Sequence, residues 1–286
     1  MSKVNTRQRR AAWFAALLGI TASAGAQVID LHTFEEISEQ ALAEQLRSQD
    51  IVLLGELHDN ARHHQLRGEL INHFAAPATT VVAEHLPTGS QVSPQGPLRE
   101  ALETAGFDAR GWGWPLHQPL FDAVRARALP LVGGNLPRGY SKQLMTGGDA
   151  ALTDALATPY RQAPLAPQAA ARLDGDLIDG HCGQLPDKYR APMRLVQRAT
   201  DISMANALLA HVPAVLVAGN GHVRRDYGVP QVIDALAPSL KISSVGFYER
   251  HGDTQELIKS LAGRYDYVWL TEPAERTDPC ESFTIK

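Results

Sequence analysis

One stretch of the chain, residues 51–65, constrains its fold more than any other. It reads IVLLGELHDNARHHQ, an apolar run that changes at Gly55 into groups able to carry protons or bind metal. Beyond Asn60 the apolar residues recur at helical spacing. A strand, a turn and a helix N-terminus in one segment mark the place where open α/β sheets hold their ligands. The stretch therefore predicts an α/β fold with a site after this strand.

The rest of the chain repeats the alternation of strand and helix. This pattern predicts a mainly parallel central sheet flanked by helices. An alanine-rich, mostly helical segment at about 138–211 is predicted to be an insertion or lid. Near the start, a helix is predicted at 34–46, with Thr33 and Glu36 as its capping box. Further strands are predicted at 28–31, 79–83, 129–135, 214–218, 240–245 and 267–270.

Residues 1–26 have the pattern of a secretory signal peptide. A basic segment precedes the apolar residues 11–20, and Ala24-Gly25-Ala26 is a small-residue cleavage site. The apolar segment is too short to span a bilayer. No cysteine lies near the cleavage site to carry a lipid. We therefore expect a periplasmic or secreted protein, with a single α/β domain at 27–286 and no membrane span after cleavage.

The charge balance argues against two classes of partner. The formal net charge is -4, and removal of the signal peptide, with four basic and no acidic residues, changes it to about -8. An acidic chain without a basic run is a poor ligand for nucleic acid or an anionic membrane surface. The acidic balance itself indicates little else about the partner.

The chain contains two cysteines, Cys182 and Cys280. In an exported protein such a pair is predicted to form a disulfide, which would tie the C-terminal tail to the body of the domain. The alternative is that Cys182, beside His181, acts as a nucleophile or a metal ligand.

Chemically active side chains follow several of the predicted strands. Glu56 and His58 follow the first long strand, Glu84 the second and His222 the fourth. Parallel strands end at one edge of the sheet, so these four side chains are expected to converge. They suit a divalent metal held by His58, Glu84 and His222. They equally suit metal-free acid–base catalysis, with a carboxylate orienting a histidine.

The two glutamates also have a structural interpretation, whereas His58 and His222 each follow a strand and a glycine. Glu56 or Glu84 could cap a helix N-terminus. Adjacent helical positions point about 100° apart, so at most one of His63 and His64 is expected to face the site. The remaining histidines are predicted to be surface or hydrogen-bonded residues, namely His32, His73, His85, His117, His211 and His251.

Four motifs in this order resemble the ChaN-like family, within the Tiki, TraB and erythromycin-esterase-like superfamily. The resemblance extends over roughly 51–280, nearly the whole mature chain. Its motifs are GELHDN at 55–60, VAE at 82–84, HCGQLP at 181–186 with Met193, Gln197, Asp201, Met204 and Ala205, and GNGHVRRDYGVP at 219–230.

The resemblance implies an α/β fold and a haem-binding protein of the cell envelope, acting in haem or iron acquisition. It implies haem held between two protomers, ligation by tyrosine and partners among envelope haem-uptake components. Tyr140 is the first candidate ligand, with Arg138 to pair with a propionate and Asn220 and Arg224 at the fourth strand end. The further candidate ligands are Tyr160, Tyr189, His181 and Met145.

The superfamily also implies an alternative function. It is a hydrolase that uses Glu56, His58, Glu84 and His222, with or without a metal ion. Each candidate haem residue keeps a structural alternative as well. Tyr140 could be a packing tyrosine, and Arg224 could belong to a solvated charge cluster.

Overall fold

The computed structural model describes residues 26–278, 280 and 281. The predicted signal peptide therefore lies outside the described residues, except for Ala26. None of the described helices is long and apolar enough to cross a membrane.

The fold is built on one eight-stranded sheet of strand order β2-β1-β8-β7-β3-β6-β4-β5. The six strands from β8 to β5 run parallel, and β1 pairs antiparallel with both β2 and β8. The predicted, mainly parallel α/β fold is thereby confirmed. The strands are β1 (Gln27–Asp30), β2 (Glu35–Ile37), β3 (Ile51–Leu54), β4 (Thr80–Pro87), β5 (Leu131–Asn135), β6 (Ala214–Val217), β7 (Ile242–Glu249) and β8 (Tyr267–Thr271).

Ten α-helices flank this sheet in the described part of the chain. Four of them, α5 to α8, and a short 3₁₀ turn connect β5 to β6, where the sequence predicts a helical insertion. The helices are α1 (Glu39–Leu46), α2 (Ala61–Phe74), α3 (Leu98–Thr104), α4 (Gln118–Ala126), α5 (Tyr140–Gly147), α6 (Asp154–Gln162), α7 (Pro167–Asp179), α8 (Asp187–Leu209), α9 (Val229–Leu236) and α10 (Thr254–Leu261).

Each face of the sheet carries its own hydrophobic core. Alternate residues of a strand point to opposite faces, so Val52 and Leu54 pack with α1 to α4, whereas Ile51 and Leu53 pack with α8 to α10. β3 lies between β6 and β7, in the middle of the parallel strands. Residues after β3 therefore emerge at the centre of the carboxyl edge.

The predicted helix at 34–46 is wrong over its first part. The backbone turns at Phe34 with φ 62°, and Glu35–Ile37 pairs with β1 as β2. Helix α1 begins only at Glu39, because the hydroxyl of Ser38, and not Thr33, accepts a hydrogen bond from the N–H of Ala41.

The predicted disulfide between Cys182 and Cys280 is confirmed, with the two Cα atoms 5.6 Å apart. The bond joins the turn after α7 to the chain segment that follows β8. The alternative roles of Cys182, as a nucleophile or a metal ligand, are thereby excluded for the oxidised protein.

Candidate functional site

The site begins at the end of β3 with a carboxylate–imidazole pair. Glu56 is buried at 1% exposure, and its Oε1 lies 2.7 Å from Nδ1 of His58. The side chain of His58 is 48% exposed. A buried carboxylate thus fixes the orientation of a ring that solvent can still reach.

Two glycines allow the loop after β6 to approach this pair. A Cβ at Gly219 would lie 2.8 Å from Nε2 of His58, and a Cβ at Gly55 would lie 2.2 Å from Oδ1 of Asn220. The Asn220 side chain in turn bonds both backbone groups of Phe247 in β7. Glycine is therefore required at both positions for the ends of β3, β6 and β7 to meet.

A second group of charges lies beside the first. Nδ1 of His222 is 2.7 Å from Oδ1 of Asp201, and its Nε2 is 3.4 Å from Oε1 of Glu84. The other oxygen of Glu84 accepts a hydrogen bond of 2.7 Å from the N–H of Gly219. The imidazole of His222 is thus placed between two buried carboxylates.

This arrangement makes His222 a cation at neutral pH. Burial alone would lower its pKa, but the charge of Glu84 and the hydrogen bond to Asp201 outweigh burial and raise the pKa to about 10. Burial would likewise raise the pKa of Glu84, yet the charge of His222 holds that pKa well below its usual range. Burial raises the pKa of Asp201 despite its bond to His222.

Both groups open into one cleft of about 780 Å³ at the carboxyl edge of the sheet. Ligand sites of small molecules are typically clefts of about 300–1,000 Å³. The aromatic and charged residues in its lining are Glu56, His58, Asp59, Asp176, His222, Arg224, Tyr227, Tyr248, Arg264 and Tyr265. Of the residues predicted for cofactor binding, Asn220 and Arg224 line this cleft.

Arg224 is not a solvated charge. It is buried at 3% exposure and donates to the carboxylates of Asp176 and Asp226 at 2.5 and 2.7 Å. Burial alone would lower its pKa, but the bond to Asp226 and neighbouring charges raise it above the ordinary value. Because Asp176 belongs to α7, Arg224 connects the helical segment to the loop after β6.

Tyr140 and Arg138 lie elsewhere. The Tyr140 hydroxyl donates to the carbonyl of Ala151 at 2.6 Å and accepts from the N–H of Thr153 at 3.0 Å. It lines a separate cavity of about 340 Å³ with Leu136, Pro137, Leu156 and others. Arg138 is exposed and donates to the carbonyl of Gly106. The structure does not bring these two residues to the main cleft.

His85 and His117 contradict the default prediction of surface or hydrogen-bonded rings. They are exposed by only 2% and 0%, and none of their ring nitrogens has a hydrogen-bond partner among the described residues. They surround Glu56 together with His64 and the guanidinium of Arg67. Glu84 and His85 are neighbours in β4, so they point to opposite faces of the sheet.

The side chains of His63 and His64 point in different directions, as expected for adjacent positions of a helix. Nδ1 of His64 lies 3.0 Å from Oε2 of Glu56. His63 instead accepts from the N–H of Leu57 and contacts the hydroxyl of Thr271 at 3.0 Å. Burial lowers the pKa of His64 to about 4 and that of His63 to about 3.

Arg67 is a site residue that sequence reasoning missed. It is fully buried and pairs directly with Glu56. A signal was present, because Arg67 precedes Leu70 and Ile71 by three and four residues and so belongs to the apolar face of α2. A charged residue on that face requires a buried partner.

Two sets of possible metal ligands share Glu56 in the described part of the chain. One is Glu56, His58 and His85, and the other is Glu56, His64 and His117, each with its ligand atoms within 4.8 Å of one another. The predicted set His58, Glu84 and His222 is not among the groups that meet this distance for the described residues.

Comparison with known proteins agrees with this fold. A protein-family model matches residues 42–233, and its description reads "Haem-binding uptake, Tiki superfamily, ChaN". The structure is similar to that of ChaN from Campylobacter jejuni, reported for cofacial haem binding, with a TM-score of 0.71 and 20% sequence identity. The alignment covers 88% of this chain and 98% of that one.

A more distant similarity is to a mutant of erythromycin esterase EreC in its open conformation, with a TM-score of 0.44 and 11% identity, over 84% and 95% of the two chains. No curated protein sequence matches the chain.

Proposed function

Because the chain belongs to the ChaN family of haem-binding uptake proteins in the Tiki superfamily, we propose that it is an exported haem-binding protein of haem or iron acquisition. The similar ChaN of Campylobacter jejuni was solved for its cofacial haem binding. The signal-peptide pattern of residues 1–26 and the disulfide of Cys182 and Cys280 support a periplasmic or extracellular location.

One observation carries the proposal, the half-exposed imidazole of His58 at the wall of a cleft of about 780 Å³. Nδ1 of His58 is engaged by Glu56, which leaves Nε2, beside Gly219, without a hydrogen-bond partner among the described residues. A carboxylate behind a ligating histidine fixes the tautomer and the orientation of the ring. His58 is therefore prepared to ligate iron through Nε2.

The other residues of the cleft fit the same ligand. Tyr227, Tyr248 and Tyr265 give it aromatic surface, and Arg264 gives it positive charge suited to carboxylates such as the haem propionates, whereas Arg224 is already paired with Asp176 and Asp226. Bound haem would supply an iron atom to which a side chain of this chain would bind. Within this proposal Asn220 supports the loop, because its side chain is committed to Phe247.

Tyr140 is the alternative residue that would ligate the iron, and Arg138 would then pair with a propionate. For Tyr140 to ligate iron, its bonds to Ala151 and Thr153 would have to break. We propose that this requires the second protomer of a haem-bridged homodimer, whereas His58 can ligate within one chain. Envelope haem-uptake components are the proposed partners that deliver or receive the haem.

Titration of the haem-free mature protein with haemin tests the proposal. We expect a shifted Soret band at micromolar protein, an altered band with about tenfold or greater loss of affinity in His58→Ala, and no change in Tyr140→Phe. His73→Ala is the matched control, because His73 is an exposed histidine of α2.

The outcome of this titration distinguishes His58 from Tyr140 as the iron ligand. A changed band in Tyr140→Phe with an unchanged one in His58→Ala would transfer the ligand role to Tyr140. Absence of any Soret shift in the wild type would contradict haem binding altogether. Sedimentation of the haem complex reports whether a homodimer forms.

A second function, hydrolysis, is favoured by the chain of side chains Asp201–His222–Glu84 beside Glu56–His58. In this proposal His58 takes a proton from water, which attacks the carbonyl carbon of an ester. The cation of His222 stabilises the oxyanion and protonates the leaving alkoxide as the ester C–O bond breaks. The reaction needs no metal ion for its proton balance.

A panel of ester and peptide substrates tests this function. We expect turnover to fall by about 10²–10⁴-fold in His58→Ala, since proton transfer typically contributes that much. His251→Ala, which removes an exposed histidine, should leave the rate unchanged. Equal rates for wild type and His58→Ala would contradict the hydrolase proposal without affecting the haem proposal.

A further inference from the structure

A second cavity lies beyond the carboxyl ends of β4 and β5, apart from the cleft of His58 and His222. Its volume is about 340 Å³, and its lining comes from the chain after these two strands and from α5, α6 and α8. Pockets for small molecules typically measure about 300–1,000 Å³. The cavity is therefore large enough for a ligand, and neither the His58 haem site nor the hydrolase site uses it.

Helix α8 stands between the cleft and this cavity. Asp201 of α8 bonds to His222 beside the cleft, whereas Ser203 and Asn206 of the same helix line the cavity. Successive helical residues point about 100° apart, so Asp201 and Ser203 point to nearly opposite sides of the helix. A ligand in the cavity therefore does not compete with one bound at His58.

The hydroxyl of Ser203 lacks a partner in the cavity wall. Ser203 is exposed by only 4%, and its side chain makes no hydrogen bond to any residue that the structure describes. The neighbouring hydroxyl of Thr200, in contrast, donates to the carbonyl of Val196 at 2.9 Å. Buried polar groups are normally hydrogen-bonded. An unbonded hydroxyl on a cavity wall therefore indicates a ligand that completes it.

The remaining lining defines the class of this ligand. Leu136, Pro137 and Leu156 give apolar surface, and Tyr140 adds an aromatic ring. Among the described residues, none with a charged side chain lines the cavity. An ion would lose its hydration there without gaining a counter-ion, which costs several kcal/mol or more. The cavity therefore suits a neutral, largely apolar molecule.

We propose that this cavity binds a neutral aromatic alcohol, whose hydroxyl bonds to Ser203 and Asn206. These two residues are three positions apart and so share one face of α8. The Asn206 amide nitrogen donates to the carbonyl of Ala155 at 3.0 Å, which leaves its side-chain oxygen as an acceptor. Ser203 donates to the ligand oxygen, and the ligand hydroxyl donates to Asn206. An apolar cavity of about 150 Å³ already binds benzene, so the larger volume here admits two fused rings.

Calorimetric titration of the haem-free mature protein with 2-naphthol tests the proposal. We expect one saturable equivalent per chain, weaker binding of naphthalene, which lacks the hydroxyl, and no binding of 2-naphthoate, which is charged. Ser203→Ala should weaken the binding of 2-naphthol by about two- to tenfold, the value of one net hydrogen bond. The same variant should bind naphthalene as the wild type does.

A variant that fills the cavity locates the site. Ala155 lines the cavity and is exposed on α6, so a larger side chain there is compatible with folding. We expect Ala155→Phe to abolish binding of 2-naphthol, because the phenyl ring occupies the volume of the ligand. Thr158→Phe is the matched control, since Thr158 is an exposed residue of the same helix outside the lining. It should bind 2-naphthol normally.

Three results would overturn the proposal. The first is a wild-type protein without saturable binding of 2-naphthol, and this result does not depend on any variant. The second is unchanged binding in Ala155→Phe that is shown to be folded by its cooperative thermal transition. The third is binding of 2-naphthoate as tight as that of 2-naphthol. Because the titration uses haem-free protein, its outcome is independent of whether haemin binds.

Discussion

Replacing Glu56 with glutamine should lower the free energy of unfolding by about 3–5 kcal/mol, since it leaves a buried charge without its partner. Arg67 has 0% exposure, and its guanidinium pairs with the Glu56 carboxylate. Burial lowers the pKa of Arg67 to about 9, so it remains charged at neutral pH. Urea denaturation at neutral pH measures the change.

A matched control is available on α2, the helix that carries Arg67. Glu69 forms an exposed ion pair with Arg62 at 3.7 Å, and Glu69→Gln should cost about 0–1 kcal/mol. Adding Arg67→Met to Glu56→Gln should recover much of the lost stability, since the second change removes the orphaned charge. Equal costs for Glu56→Gln and Glu69→Gln would contradict the importance of this buried pair.

The convergence of strand ends could be predicted from the sequence, because it depends on local patterns. Apolar runs that end in Gly55-Glu56, Glu84 and Gly219-Asn220 indicate strands whose carboxyl ends share one edge. The parallel pairing of β6 with both β3 and β4 puts these ends side by side. The periodicity of the apolar residues and the residue types in the turns are sufficient to predict this part of the fold.

The composition of the site could not be predicted in the same way, because partners distant in sequence determine it. His117 precedes α4, and no local pattern shows that its ring lies 3.6 Å from Glu56. Asp201 lies in the middle of α8, and only tertiary packing brings it to His222. Sequence spacing identifies which residues end a strand, but not which helix face packs over them.

Reduction of the bond between Cys182 and Cys280 should produce the second large effect. The two cysteines are 98 residues apart, and cross-linking a loop of that length stabilises by about 4.7 kcal/mol in the chain-entropy model. For a domain of this size the loss corresponds to a fall of roughly 10–20 °C in Tm. Thermal unfolding with and without reductant measures it.

Contacts near the bond also attach the tail to the domain. Arg276 donates to Asp59 at 2.6 Å and to Glu249 at 2.5 Å, and the N–H of Ala274 donates to Glu249 at 3.0 Å. The Asp59 side chain is 57% exposed, so its ion pair contributes only about 0–1 kcal/mol, whereas the Glu249 carboxylate is buried at 1% exposure. The disulfide adds its stabilisation to these contacts by restricting the unfolded chain.

The double variant Cys182→Ser/Cys280→Ser is the control for direct effects of the reductant. It should unfold at the temperature of the reduced wild type and should not respond to reductant. Both cysteine residues are at least partly exposed, so reductant can reach the native bond. An unchanged Tm after thiol titration has verified complete reduction would show that native contacts, rather than the restricted unfolded chain, determine the stability of this domain.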